Sequence, residues 1–178
     1  MIQAGDEIVS QKVKSVYERE CAWMDNPPAD FPFYFDPERG NRHIEFIERF
    51  CKLSQGKFAG QNIKLEPFQK AKIQMVFGWV EKDTHFRRFR EVDDLRGRKC
   101  GKSTETAAVE WDAALNDNEM GAQIYCTANK KDQAKIIFNE CVNMMKHSPA
   151  LKAVAKKRQS DIYIDLFMSC LLYTSPSP

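Results

Sequence analysis

Net charge is nearly absent from this chain: 27 basic residues stand against 25 acidic ones, leaving +2. Bulk electrostatics therefore does not mark a nucleic-acid binder, and any basic function must be local. Also missing is an apolar run approaching the roughly 20 residues that a membrane-spanning helix needs, so no membrane partner is expected. The six cysteines, Cys21, Cys51, Cys100, Cys126, Cys141 and Cys170, form no Cys-x-x-Cys pair, and no signal-peptide pattern precedes them. This argues against zinc and against a disulfide framework, and for reduced thiols in a cytoplasm. The histidines, His43, His85 and His147, share no metal-ligand spacing and read as structural or exposed. What is present is ordinary: 43% apolar and 29% charged residues over 178 positions describe one soluble globular domain.

Helical spacing of Val9, Val13, Val16 and Tyr17 predicts an amphipathic helix over 6–23, stopped by Asn26-Pro27-Pro28. The aromatic run Phe31 to Phe35 reads as extended, and Asp36-Pro37 sets an N-cap with proline at the first helical position. The helix that follows carries Ile44, Ile47, Phe50 and Cys51 on one face. Gly56 and Gly60 flank a loop, and Glu66-Pro67 opens a third helix bearing Phe68, Ala71, Met75, Val76 and Trp79 as core. Residues 86–95 stand where a strand is required, although Arg87, Arg88, Arg90, Asp93 and Asp94 spoil both alternation and an apolar run. Beyond them, Ala107, Ala108, Trp111, Ala114 and Leu115 form a helical stripe; 122–127 reads as a short strand; 131–146 is helical; and 161–165 alternates like another strand. Strand, helix, strand, helix, strand is the grammar of an α/β fold with a parallel sheet.

Between the first strand and the first of these later helices lies Arg96-Gly97-Arg98-Lys99-Cys100-Gly101-Lys102-Ser103-Thr104. Glycine lets the backbone bring N–H groups against phosphate oxygens, lysine neutralises the β/γ charge, and a hydroxyl reaches Mg²⁺. A helix starting there adds its positive dipole end. The usual spacing would need glycine where Arg96 stands, so this is a variant phosphate loop, and a solvated basic turn at a helix start is the competing reading. Arg98 or Arg96 is a candidate to stabilise developing phosphoryl charge in cis. Lys130, Lys131, Lys135, Lys152, Lys156, Lys157 and Arg158 are either DNA-phosphate contacts or solvated helix faces.

Several stretches in order resemble the large terminase subunit of tailed bacteriophages. They are Phe46 to Cys51, Leu65-x-Pro67-Phe68-Gln69, Phe77-Gly78-Trp79, Arg98-Lys99-Cys100-Gly101-Lys102-Ser103, Gly121 to Tyr125, Ala128, Asp132-Gln133-Ala134, and Ser148-Pro149-Ala150-Leu151. In that family the loop typically lacks its first glycine, which accounts for the spacing here. The resemblance implies an ASCE-type P-loop NTPase sheet, incomplete in this chain, behind an N-terminal helical region, with bounds of 1–60 and 61–169. It implies ATP and Mg²⁺ as cofactors, with Gln69 reading the adenine edge. Arg98, Lys99, Cys100, Gly101, Lys102, Ser103 and Thr104 would hold the nucleotide, Ser103 the metal, and Lys102 and Arg98 would act in catalysis. Implied partners are double-stranded DNA, the portal and procapsid, the small terminase subunit and further copies of the chain when full-length, all in the host bacterial cytoplasm. A helicase-like P-loop ATPase or a non-enzymatic DNA- or capsid-binding scaffold are the alternatives. The acidic pair after a further strand and the nuclease domain would lie downstream. The last nine residues, Cys170 to Pro178, resemble the translation of a transposase adapter used in sequencing libraries, so the native frame is expected to diverge near Ser169.

Overall fold

The computed structural model describes residues 10–117, 122–158 and 161–164. The chain divides into two compact units, residues 1–41 with 68–92, and residues 42–67 with 93–178.

In the first unit, α1 (Gln11–Asp25) opens on Ser10, whose hydroxyl accepts from the Val13 N–H, and stops at Asn26 ahead of the two prolines. Its buried residue is Glu20, whereas Val13 and Val16 are 42% and 37% exposed, so the expected apolar face is not the packed one. β1 (Phe33–Phe35) pairs antiparallel with β2 (Trp79–Glu81), placing Tyr34 opposite Val80. Asp36 accepts from the Arg39 N–H at 3.0 Å and so caps α2 (Pro37–Phe50) as its sequence predicts. α3 (Pro67–Gly78) buries Ile73 and Phe77, while Phe68 is 47% exposed. The expected stripe is only partly packed: Phe68 is exposed at the first turn, Ala71, Met75 and Val76 are half-buried, and the helix ends before Trp79. A Cβ on Gly78 would lie 2.6 Å from the Phe35 ring, and this close approach turns the chain into β2, so Trp79 packs from a strand.

A caged cation holds this unit together. The Arg88 guanidinium lies 4.8–5.5 Å from the ring centroids of Trp23, Phe31, Phe33, Trp79 and Phe89. It also donates to Glu20 at 2.8 Å, where Glu20 is 1% exposed. Arg19 donates to the other Glu20 oxygen at 2.8 Å, and a carboxylate this deep needs such partners.

In the second unit, Ile44, Phe46 and Ile47 form the packed face of α2, and Cys51, just past its end, is buried beside them in the chain. The chain then doubles back: Leu53 N–H donates to Gln61 O, Ile63 N–H donates to Cys51 O, and Gly60 takes a positive φ of 84° in the bend. α4 (Lys102–Asn116) contributes Ala107, Ala108, Trp111 and Leu115 to the core, and α5 (Lys131–His147) contributes Cys141, Val142, Met144 and Met145. The Trp111 indole donates to Cys141 O at 3.2 Å and ties the two helices. Ser148 caps α6 (Pro149–Val154), and its hydroxyl also donates to Phe50 O at 2.7 Å. His43 is a satisfied core residue: its Nδ1 lies 2.6 Å from Asp112, which also accepts from Asn116. Burial pushes the Asp112 carboxyl up, and the bond to His43 works against that shift.

The fold is a mixture of helix and strand, but the expected parallel sheet is not found among the described residues. The strands form two antiparallel pairs, β1 with β2, and β3 (Ala155–Arg158) with β4 (Asp161–Ile164). β4 falls where alternation predicts it, yet its neighbour is the basic segment before it. Residues 86–95 are irregular apart from one bridge, Val80 to Arg87. Their charges are used elsewhere, Arg88 in the aromatic cage and Asp94 on Arg96. Residues 122–127 are also irregular, with Ile124 and Tyr125 41% and 75% exposed.

Replacing Arg88 with alanine empties the cage and removes one of the two guanidinium partners of Glu20, leaving Arg19 on the other oxygen. The expected loss is about 2 kcal/mol of stability, short of the cost of a wholly unpaired buried charge. Urea unfolding followed by tryptophan fluorescence checks it, because Trp23 and Trp79 both face the guanidinium.

Candidate functional site

α4, like α5, starts without a side-chain cap. Its N-cap is Gly101, in the left-handed region at φ 70°, which offers no side-chain acceptor to the N–H groups of the first turn. Glu105 N–H is the first to reach a carbonyl of the helix start, that of Gly101. Helix geometry therefore leaves the N–H groups of Lys102, Ser103 and Thr104 without an intrahelical acceptor. A Cβ on Gly101 would meet nothing within 4 Å, so the glycine is there for its conformation and for open approach to these donors. Lys99 is also held at positive φ, 64°, a conformation that costs a side-chain-bearing residue about 1 kcal/mol or more.

An ion-paired arginine fixes the loop from both sides. Arg96 donates to both oxygens of Asp94, at 2.7 and 2.6 Å, and lies 2.7 Å from Glu105, which is 3% exposed on the first turn of α4. Burial alone would lower the Arg96 pKa, but its bonds to Asp94 and Glu105 outweigh that effect and raise it. The Lys102 ammonium folds back into the loop, donating to Arg96 O and, at 3.2 Å, to Gly97 O. Its charge thus sits directly beside the uncapped helix start.

The predicted residues are placed as follows. Lys102, Ser103 and Thr104 are half-buried on the first turn of α4, and Arg98, Lys99, Cys100 and Gly101 are exposed in the turn before it. Arg96, the other candidate for a charge-stabilising arginine, is committed to Asp94 and Glu105. No ion pair among the described residues involves Arg98. Gln69 stands on the first turn of α3 in the first unit, apart in sequence and in unit from the loop. Lys130, Lys131, Lys135, Lys152, Lys156 and Lys157 are exposed. The side chain of Arg158 lies outside the described residues, as does the whole adapter-like segment. Among the described residues no cluster of His, Cys, Asp or Glu is arranged to hold a metal.

Sequence reasoning missed Asp94 and Glu105, the carboxylates that brace the loop, and Glu140, which packs on the first turn of α4 from α5. Glu140 interrupts the buried face made by Cys141, Met144 and Met145, and an acid at a core position of a helical stripe is the signal that could have found it. Chemically, the site combines a flexible glycine cap, free helix N–H groups, a lysine and two hydroxyls. This is the equipment for holding a polyanion.

Comparison with known proteins agrees with that class. The family described as terminase large subunit, ATPase domain, matches residues 67–172, and the chain belongs to it. The large subunit of the terminase of Enterobacteria phage HK97 is 33% identical over 117 residues, covering 65% of this chain and 22% of that protein. The crystal structure of the HK97 bacteriophage large terminase superposes with a TM-score of 0.54 at 30% identity, over 67% of this chain and 23% of that one. The chain therefore spans under a quarter of the length of the relatives it matches.

Thiol reactivity maps the loop. Cys100 is exposed in the turn, whereas Cys51 and Cys141 are buried and their thiols are pushed well above the usual range by desolvation. Burial and the neighbouring Glu110 push Cys126 up to about 11. Iodoacetamide at pH 8, read by peptide mass spectrometry, is expected to modify Cys100 well before these three, since the thiolate is the reactive form. Cys51 and Cys141 should react only in denaturant.

Proposed function

We propose that this chain is the ATP-binding part of a DNA-packaging motor, an ATPase whose hydrolysis drives double-stranded DNA into phage procapsids. The observation that carries the reading is the uncapped start of α4 with the Lys102 ammonium beside it. The N–H groups of Lys102, Ser103 and Thr104 fit triphosphate oxygens, and Lys102 exchanges the carbonyls of Arg96 and Gly97 for the β and γ charge. Ser103 would hold Mg²⁺, which supplies charge neutralisation at the phosphoryl oxygens when bound. Exposed Arg98 is the arginine available to follow developing charge, while Arg96 keeps the loop in register. Gln69 is assigned to the adenine edge, since a side-chain amide offers both a donor and an acceptor.

The complete protein, on this reading, carries an ASCE-type parallel sheet in which 86–95 and 122–127 flank α4 as strands. That sheet would cover Leu95, Ile124 and Tyr125, which are 96%, 41% and 75% exposed. Residues 1–60 form the N-terminal helical region, 61–169 part of the ATPase domain, and 170–178 an adapter-derived tail. The portal, the procapsid, the small terminase subunit and further copies of the chain are its partners in the host cytoplasm, and an endonuclease domain accompanies it. Phosphoryl transfer depends on groups that orient the attacking water. The residues assigned here bind and position the nucleotide, so the chain by itself should bind ATP yet turn it over negligibly.

Lys102→Ala tests the reading. Loss of a charge-assisted contact of about 2–3 kcal/mol should weaken Mg·ATP binding by roughly 30- to 150-fold in calorimetric titration. The melting temperature should hold within a few degrees, because the side chain is only half-buried and bonds loop carbonyls alone. Unchanged affinity would remove Lys102 from the site.

A further inference from the structure

A second feature adjoins the first turn of α4. Ser54, Gln55, Ser103, Thr104, Asn139 and Glu140 line a cavity of about 450 Å³. Glu140, 7% exposed, is its charged member. One of its oxygens accepts from the Ser54 hydroxyl at 2.7 Å and from the Thr104 hydroxyl at 3.1 Å. The other has only the Gln55 amide, at a long 3.4 Å. No lysine, arginine or histidine among the described residues forms an ion pair with it. A carboxylate buried among neutral donors, with one oxygen poorly served, is a site for further donors.

We propose that this cavity seats the ribose of the bound nucleotide, with the Glu140 oxygen that meets only the distant Gln55 amide accepting from the sugar hydroxyls. The proposal rests on the reading of 98–104 as a triphosphate loop. Three observations select the sugar. The cavity begins at Ser103 and Thr104, the residues assigned to the phosphates, so whatever is attached to those phosphates lies within reach. A buried negative charge repels phosphate oxygens and favours the neutral, hydroxyl-bearing part of the molecule. A carboxylate matches vicinal hydroxyls, each donating to it, which is how an acidic side chain recognises ribose elsewhere. A directly bound divalent cation is disfavoured, since no other acid and no histidine lines the cavity.

Glu140 on this account sets the preference for ribonucleotides, and Thr104 links it to the loop. Calorimetric titration of the 178-residue chain with Mg·ATP and with Mg·2′,3′-dideoxy-ATP tests it. ATP is expected to bind about 10-fold or more tightly than the dideoxy analogue, the value of hydrogen bonds to a charged acceptor. Glu140→Gln, which keeps shape and the bonds to Ser54 and Thr104, should shrink that ratio to near one, with unchanged circular dichroism. Lys102→Ala should weaken both nucleotides by the same factor. Equal wild-type affinity for the two nucleotides, with both still dependent on Lys102, would overturn the ribose site and leave the phosphate loop standing. Indifference of both nucleotides to Lys102→Ala would overturn the loop reading and this proposal with it. If Glu140→Gln changes the Mg²⁺ dependence of both nucleotides alike and keeps their ratio, Glu140 serves the metal and the proposal fails. Should the variant not fold, the wild-type comparison decides alone.

Discussion

A helix that begins without a cap must be positioned by something other than its cap, and in this chain that is the Arg96–Glu105 ion pair. Glu105 belongs to the first turn of α4, Arg96 to the segment before the loop, and the 2.7 Å contact closes the loop between them. Asp94 completes the clamp on the other side of the guanidinium. With the ends fixed, the intervening residues tolerate a positive φ at both Lys99 and Gly101 and leave the helix N–H groups open. Capping α4 with Ser, Thr, Asp or Asn would stabilise the helix by about 1 kcal/mol and would occupy the same donors that an anion needs. Stability given up at the cap is offset by a buried ion pair outside it.

Three buried acids among the described residues are each held by a basic or imidazole partner. Glu20 is held by Arg88 inside a ring of aromatics, Asp112 by His43 and Asn116, and Glu105 by Arg96. Glu140 departs from the pattern, because its partners are two hydroxyls and a distant amide. Removing one member of a matched pair costs several kcal/mol, so the matched acids read as architecture. Glu140, held by neutral donors beside the loop, is the acid to which the proposal gives a ligand.

Local signals were legible in the sequence. The Asn26-Pro27-Pro28 stop, the Asp36-Pro37 cap, the apolar repeat of α5 and the Gly-Lys-Ser start of α4 all describe interactions within a few residues, and each element lies where they put it. Long-range terms were not legible. Val13 and Val16 have helical spacing but face solvent, because the burial of α1 is decided by Arg88 reaching Glu20 across 68 positions. Trp79 has helical spacing yet packs from a strand, since α3 ends at Gly78, which lies against Phe35. Near the candidate site, the place of the Gly-Lys-Ser turn at the start of α4 is readable from residue type and order. The brace is not: Arg96 looks like a candidate for phosphate contact until Asp94 and Glu105 are seen to hold it. The basic segment Ala155–Arg158 carries no alternation of its own and becomes a strand only beside β4.

The central claim is that the open donors at the start of α4 receive the phosphates. Amide hydrogen exchange on the chain with and without Mg·ATP tests it most directly, since Lys102, Ser103 and Thr104 have no acceptor within the helix. Their N–H groups should exchange rapidly in the free protein and become strongly protected on nucleotide binding, with the amides of Gly101 and Cys100 following. Protection that appears elsewhere in the chain while these amides exchange at their original rate would contradict the account.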